Sequence, residues 1–221
     1  MNLDDVTIVL PTKDEAHNIA TFLRSLPSQP WLVVVDSSRD CTPEIVAERR
    51  PSRTLVVRQQ VNVTHARQLG ARVAETPWIL FTDADVVFGP SYFSHLRRWE
   101  GVGAVYGPKA SLDVYAGYYS WFARGQRLLH FLGIPAASGS NLLVSREVFW
   151  AVGGFDLRLT CNEDSELAFR IARRGFRVCY DRDLVVYERD HRRLRRGVMR
   201  KTAHTLVRCS LLYLGLMPEA W

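Results

Sequence analysis

Four short apolar runs, at residues 6–10, 31–35, 54–57 and 78–81, alternate with stretches of helical pattern at 14–26, 42–50 and 64–75. Strands that are apolar on both faces and separated by helices belong to a parallel sheet covered on both sides. The rhythm therefore predicts an α/β domain with a mostly parallel central sheet flanked by helices. At 221 residues and 47% hydrophobic content, the chain can build one substantial core and is short for two. Thr42-Pro43-Glu44 predicts a helix start, with Thr42 as N-cap, Pro43 at the first helical position and Glu44 near the positive helix end. Gly175 predicts the end of a helix over 164–174. Beyond Gly107 the alternation fades into Tyr115, Tyr118, Tyr119, Trp121 and Phe122. Core packing at helical spacing is the default for these rings, and a platform for a sugar or lipid acceptor is the alternative.

In open parallel sheets, ligands bind beyond the carboxyl ends of the strands. Three such ends carry polar residues here: Pro11-Thr12-Lys13, Asp36-Ser37-Ser38 and Asp83-Ala84-Asp85. Together they outline a nucleotide pocket. At the end of a buried strand, alternation sends Asp83 and Asp85 off the same side of the backbone, and hard oxygen ligands suit Mg²⁺ or Mn²⁺. The plain alternative for the pair is turn chemistry. No Gly-x-Gly-x-x-Gly follows the first strand and no Gly-Lys-Ser/Thr loop occurs, so the usual dinucleotide and P-loop cradles are missing. A metal with side chains must replace them.

Cys41, Cys161, Cys179 and Cys209 are scattered, with no Cys-x-x-Cys pair, and the N-terminus is polar. Reduced thiols in a cytoplasmic protein are the simplest account. The net charge of +6 is concentrated near the C-terminus, in His191-Arg192-Arg193-Leu194-Arg195-Arg196 followed by Arg200 and Lys201. Charge alone names no partner: a substrate phosphate, an acidic membrane surface, nucleic acid and a solvated helix face all suit it. No apolar run of ~20 residues exists, so a membrane span is not expected. A mostly apolar stretch at 206–217 suits either a helix at the inner face of a membrane or one packed on the core.

Several motifs, taken together and in order, resemble the family 2 glycosyltransferases of GT-A fold. They are Ile8-Val9-Leu10-Pro11-Thr12-Lys13-Asp14-Glu15-Ala16, Val35-Asp36-Ser37-Ser38-Arg39-Asp40, Ala66-Arg67-Gln68-Leu69-Gly70-Ala71, Asp83-Ala84-Asp85, Gly139-Ser140-Asn141, Gly153-Gly154-Phe155-Asp156 and Asn162-Glu163-Asp164-Ser165-Glu166-Leu167. The resemblance implies a single GT-A-like domain over 1–190. Within it, 1–110 would be the nucleotide-sugar half and 111–190 the acceptor and catalytic half, ahead of a basic amphipathic segment at 191–221. It implies donor contacts from Pro11, Thr12, Glu15, Asp36, Ser38, Arg67, Asp83, Ala84, Gly139 and Asn141. Asp85, Asp83 and a late-loop His191 would hold Mn²⁺ or Mg²⁺. Glu163-Asp164 resembles the family's catalytic acidic motif, with Asp164 as the base. Two departures stand out: the loop after Val35 is short and lacks the second acidic residue, and Gln68 replaces a frequent asparagine.

The reaction follows from chemistry. A nucleotide-diphosphate leaving group needs its developing negative charge stabilised, and the acceptor hydroxyl needs a carboxylate to take its proton, a contribution of ~10²–10⁴-fold. One in-line displacement of this kind inverts the anomeric centre. A helix N-terminus at 164 suits a carboxylate, and an N-cap role for Asp164 is the rival. The expected donor is a UDP- or GDP-sugar, and the acceptor a saccharide, a lipid or a small metabolite. Membrane contact through 191–217 is expected at most peripherally, and no nucleic acid is expected. Two other functions remain open from sequence. Asp-x-Asp-Val after a strand also resembles the nucleophile motif of haloacid-dehalogenase-like phosphatases, although three strands precede it, and the basic tail alone would serve a non-catalytic membrane- or nucleic-acid-binding module.

Overall fold

The computed structural model describes residues 1–159 and 161–191, so the C-terminal basic and apolar segments noted above lie outside the described residues. The chain runs β1 (Val6–Thr12), α1 (Ala16–Arg24), β2 (Trp31–Asp36), α2 (Thr42–Arg49), β3 (Thr54–Arg58), α3 (Val63–Val73), β4 (Trp78–Thr82), β5 (Val86–Phe88) and α4 (Tyr92–Leu96). It continues through β6 (Ala104–Tyr106), β7 (Lys109–Ala110), α5 (Ala116–Phe131), β8 (Asn141–Ser145), α6 (Arg146–Ala151), α7 (Glu163–Arg173), β9 (Val178–Tyr180) and β10 (Val186–Glu188).

A seven-stranded sheet has the order β3-β2-β1-β4-β8-β6-β9. Of these strands β8 alone runs against its neighbours, pairing antiparallel with both β4 and β6. The expected mostly parallel mixed sheet is therefore present. Period-two alternation feeds two separate cores, one on each face. Ile8, Leu10, Leu32, Val34 and Leu80 point to one with Ile19 and Phe22 of α1, while Val9, Val33, Val35, Ile79 and Phe81 point to the other with Ala66, Ala71, Leu167 and Ile171. At Gly70 a Cβ would overlap the Val9 side chain, so glycine is what lets α3 lie flat on β1.

Helix boundaries shift for local reasons. Asp14, expected inside the first helix, has φ +55 and stands outside α1. Cys41 rather than Thr42 is the N-cap residue of α2. The Thr42 hydroxyl instead accepts the Glu15 N–H at 3.0 Å, and Asp40 accepts the Ala16 N–H at 3.1 Å, so the second loop caps the first helix. Gly175, at φ +85, follows the end of α7 as expected. Of the five aromatic residues at 115–122, only Tyr119 is buried, so core packing accounts for one ring and not for the group.

A second sheet went unanticipated. β5, β10 and β7 form a three-stranded ribbon in which β10 is antiparallel to β5 and parallel to β7. It brings Asp85, Lys109 and Glu188 to one place.

Candidate active site

The loops after β1 and β2 are stapled to each other by side chains. Asp36, fully buried, accepts from Thr12 Oγ1 at 2.7 Å and Ser38 Oγ at 2.6 Å, and its other oxygen lies 3.2 Å from Arg58 Nε. Ser38 Oγ in turn accepts the Asp14 N–H at 2.8 Å, and Asp14 accepts the Arg39 N–H at 2.8 Å. Pro11, Thr12, Asp36 and Ser38 are thus brought together as expected, with the Asp36 carboxylate engaged by protein donors. Glu15, at the foot of α1, accepts from Asn18 at 2.7 Å.

Arg67 of α3 is the hub of the site. It is 5% exposed; Nη1 pairs with Glu163 and Nη2 donates to Asp83 Oδ1 at 2.6 Å. Burial alone would lower its basicity, but Asp83, Glu163 and Asp164 more than offset this and raise it. A Cβ at Gly139 would sit 2.5 Å from Arg67 Cζ, so the glycine makes room for the guanidinium. Asp83 spends its other oxygen on Ser140 Oγ at 2.5 Å. Burial would raise the Asp83 pKa, but Arg67, Lys109 and Ser140 hold it down at about 2. Glu163 is buried, and burial together with Asp164 pushes it up against the pull of Arg67.

Asp85 is different. Its Oδ1 is buried without a hydrogen-bond partner. Burial, aided by Glu188, Asp83 and Glu15 and opposed by Lys109, pushes Asp85 up to about 7. Lys109 is committed elsewhere, 2.5 Å from Glu188 Oε2. Ala84 between the two aspartates is core.

Asp164 lies in the first turn of α7, with Asn162 as the N-cap residue. It accepts the Gly139 N–H at 2.5 Å and its own helix's Ser165 N–H at 2.7 Å, half-buried at the rim of the Arg67 hub. The expected catalytic pair is therefore split: Glu163 is locked onto Arg67, and Asp164 faces the Gly139 turn. Asn141 is 1% exposed and wholly engaged, receiving the Tyr92 hydroxyl at 2.7 Å and donating to Leu184 O at 2.7 Å, so its amide ties β8 to the ribbon.

His191 is 3% exposed and packs on Tyr115 and Tyr119. Its Nε2 is 2.7 Å from Asp113 Oδ2, while Nδ1 is buried and unpartnered. The ribbon brings the chain past Asp85, since the Arg189 N–H donates to the Asp85 carbonyl at 2.9 Å, two residues before His191. Among the described residues, the three ligand atoms that converge within 4.8 Å belong to His95, Asp181 and Asp183, not to Asp83, Asp85 and His191. A cation at Asp85 fits the chemistry of that donor, because Asp85 Oδ1 is a buried hard ligand atom without a hydrogen-bond partner among the described residues. Sequence reading missed Lys109, Glu188 and Asp113, which sit in two- and three-residue strands and turns without a pattern to mark them.

A family model described as glycosyl transferase family 2 matches residues 7–153. The chain belongs to that family. The match covers the Asp36 loop, the Arg67 helix, Asp83 to Asp85 and the Gly139 turn. Solved structures agree on the fold. The mannosyltransferase PcManGT from Pyrobaculum calidifontis, in complex with GDP-Man and Mn²⁺, superposes with a TM-score of 0.66 at 24% identity over 84% of this chain. TarS of S. aureus superposes with a TM-score of 0.64 at 16% identity, also over 84%. The chain spans 56% of the PcManGT chain and 36% of the TarS chain. No curated protein matches the sequence. The family match favours a transferase reading over the phosphatase and pure binding-module readings. No helix among the described residues is long and apolar enough to cross a membrane.

Proposed function

We propose that this domain transfers a sugar from a nucleotide diphosphate to an acceptor hydroxyl, with inversion and with help from a divalent cation. The observation that carries the reading is the partnerless buried oxygen of Asp85, set between Asp83 and Glu188 at the carboxyl end of β4. A cation held by Asp85, with His191 as the second ligand, would stabilise charge on the departing diphosphate.

The chain's own residues supply the rest. Thr12, Asp36 and Ser38, braced by the cross-loop bonds, would form the wall against which the nucleoside rests, with Pro11 and Glu15 beside them. Arg67 acts as a positioning residue: its two pairs hold Asp83 and Glu163, and with them the Gly139 turn, in one rigid unit. Asp164 is the base that takes the acceptor proton. The Gly139 N–H aims its carboxylate, and a single base on the acceptor side requires no covalent sugar-enzyme intermediate. Residues 1–110 thereby serve the donor, and 111–190 the acceptor and the proton transfer.

PcManGT was solved with GDP-Man and Mn²⁺, which makes that donor and ion the first to test, with UDP-sugars and Mg²⁺ next. Ligand binding raises apparent stability by mass action. A cation-dependent thermal shift with one nucleotide, abolished in Asp85→Ala, is expected. Asp164→Asn should retain that shift and lose transfer. A shift that survives Asp85→Ala removes the cation from Asp85, and full transfer by Asp164→Asn removes the base.

A further inference from the structure

α5 is the longest helix among the described residues and one of the least covered. Of its 16 residues only Tyr119 and Gln126 are buried. They mark its inward side, where Tyr119 packs on His191 and Gln126 donates to Ala136 O at 2.7 Å. On the other side Trp121 is 52% exposed, Leu128 61%, Phe131 85% and the following Leu132 61%. Positions 121, 128 and 132 fall seven and four residues apart, on one helical stripe. Exposed apolar side chains repeated along one side of a helix suit a binding surface.

The charges select what binds. α5 contains Arg124 and Arg127, both exposed, and no Asp or Glu. Arg124 lies three residues after Trp121 and four before Leu128, at the edge of the stripe. Aromatic and leucine side chains bordered by arginine suit the boundary between headgroups and acyl chains of an anionic bilayer, where the guanidinium reaches lipid phosphate. These two exposed cations, with no acidic residue on the helix, favour an anionic partner.

We propose that the outward face of α5 is a docking surface for an anionic lipid bilayer. Trp121, Leu128 and Phe131 enter the interface, and Arg124 and Arg127 meet the phosphates. The inference goes beyond the transfer reading and does not depend on it. Where both hold, the face of α5 that borders Glu188 lies one helix width, ~10 Å, from the headgroups.

The test is flotation of the full chain with vesicles of phosphatidylcholine alone and of phosphatidylcholine with phosphatidylglycerol, at low and high salt. The wild type should float with the anionic vesicles and release in salt. Trp121→Glu/Leu128→Glu should not float. Arg124→Gln/Arg127→Gln should bind the anionic vesicles more weakly, roughly fivefold for each charge removed. A wild type that ignores anionic vesicles overturns the proposal, and so does a Trp121→Glu/Leu128→Glu variant that floats normally, which would move the contact to 192–221. Loss of a dimer in that variant, measured by light scattering, would instead make the occupant a second copy. Retention of the nucleotide thermal shift reports that each variant is folded, and absence of that shift in the wild type refutes the transfer reading while leaving the flotation result intact.

Discussion

Replacing Arg67 with Met should cost more stability than almost any other single polar change in the domain. The side chain is 5% exposed, and its guanidinium is the counter-charge of both Asp83 and Glu163. Methionine fills similar volume, so the loss is electrostatic and not a cavity. Breaking a buried pair by removing one partner costs about 3–5 kcal/mol, because the other charge is left uncompensated. Glu163 cannot move to water, being buried in the first turn of α7. For a domain of this size, 3–5 kcal/mol corresponds to a fall in melting temperature on the order of 10 °C. Calorimetry or urea denaturation of Arg67→Met measures it directly. Adding Glu163→Gln should recover part of the loss, since the orphaned charge is gone. The sign of the pH dependence follows as well. With Arg67 gone, burial raises the folded-state pKa values of both carboxylates above their unfolded values, so their protonated forms favour folding. The deficit against wild type should then shrink as pH falls from 7 toward 5. A deficit under about 1 kcal/mol, or one that does not respond to Glu163→Gln, would refute the hub.

Gly139→Ala should lower the melting temperature and also slow transfer, because the added Cβ meets the Arg67 guanidinium and displaces the N–H that holds Asp164; a variant with unchanged kcat would detach the turn from the base. In the absence of metal, Asp85, pushed up to about 7, favours the folded state below its unfolded pKa and loses that contribution as pH rises through about 7, so stability should fall between pH 5 and 8, and Asp85→Asn should flatten the curve. Lys109→Met removes a cation that pulls on Asp85 and should enlarge the thermal shift given by Mn²⁺ alone, provided the variant also carries Glu188→Gln to avoid a stranded carboxylate; a smaller shift would mean that Lys109 organises the site and does not compete with the ion.

The first half of the fold was legible because β1, β2, β3 and β4 are each a contiguous apolar run and adjacent runs in the chain become neighbours or near neighbours in the sheet. Their polar ends are equally local, so Thr12, Asp36, Ser38, Asp83 and Asp85 could be picked out and do gather at one edge. Elements made by distant pairing escaped. β7 has two residues and β10 three, too short for any period, and their register exists only because Glu188 and Arg189 return about a hundred residues later to lie beside Val86 and Asp85. The roles of residues already singled out changed for the same reason. Arg67 reads as a helix-surface cation until Asp83 and Glu163 arrive from other parts of the chain, and Asn141 reads as a donor contact until Tyr92 and Leu184 close on its amide. Thr42 missed its cap because the hydroxyl serves the neighbouring helix.

The charge arrangement supports Asp85 as the proposed place for an external ion. A chain can hold several carboxylates together only if each finds a counter-charge or donates its proton. Asp83 and Glu163 share Arg67, and Asp83 adds Ser140. Glu188 takes Lys109 at 2.5 Å, and Asp36 has Arg58, Thr12 and Ser38. Each of these groups is matched by a side chain within its own unit. Asp85 has one buried oxygen without a hydrogen-bond partner among the described residues, and feels the repulsion of Glu188, Asp83 and Glu15 against the pull of Lys109. Asp36 at the end of β2 and Asp83 just after β4 are both given side-chain donors, and the buried Asp85 oxygen is given none. One oxygen left open beside carboxylates that are already paired supports the proposal that the missing positive charge comes from outside the chain together with an anionic substrate.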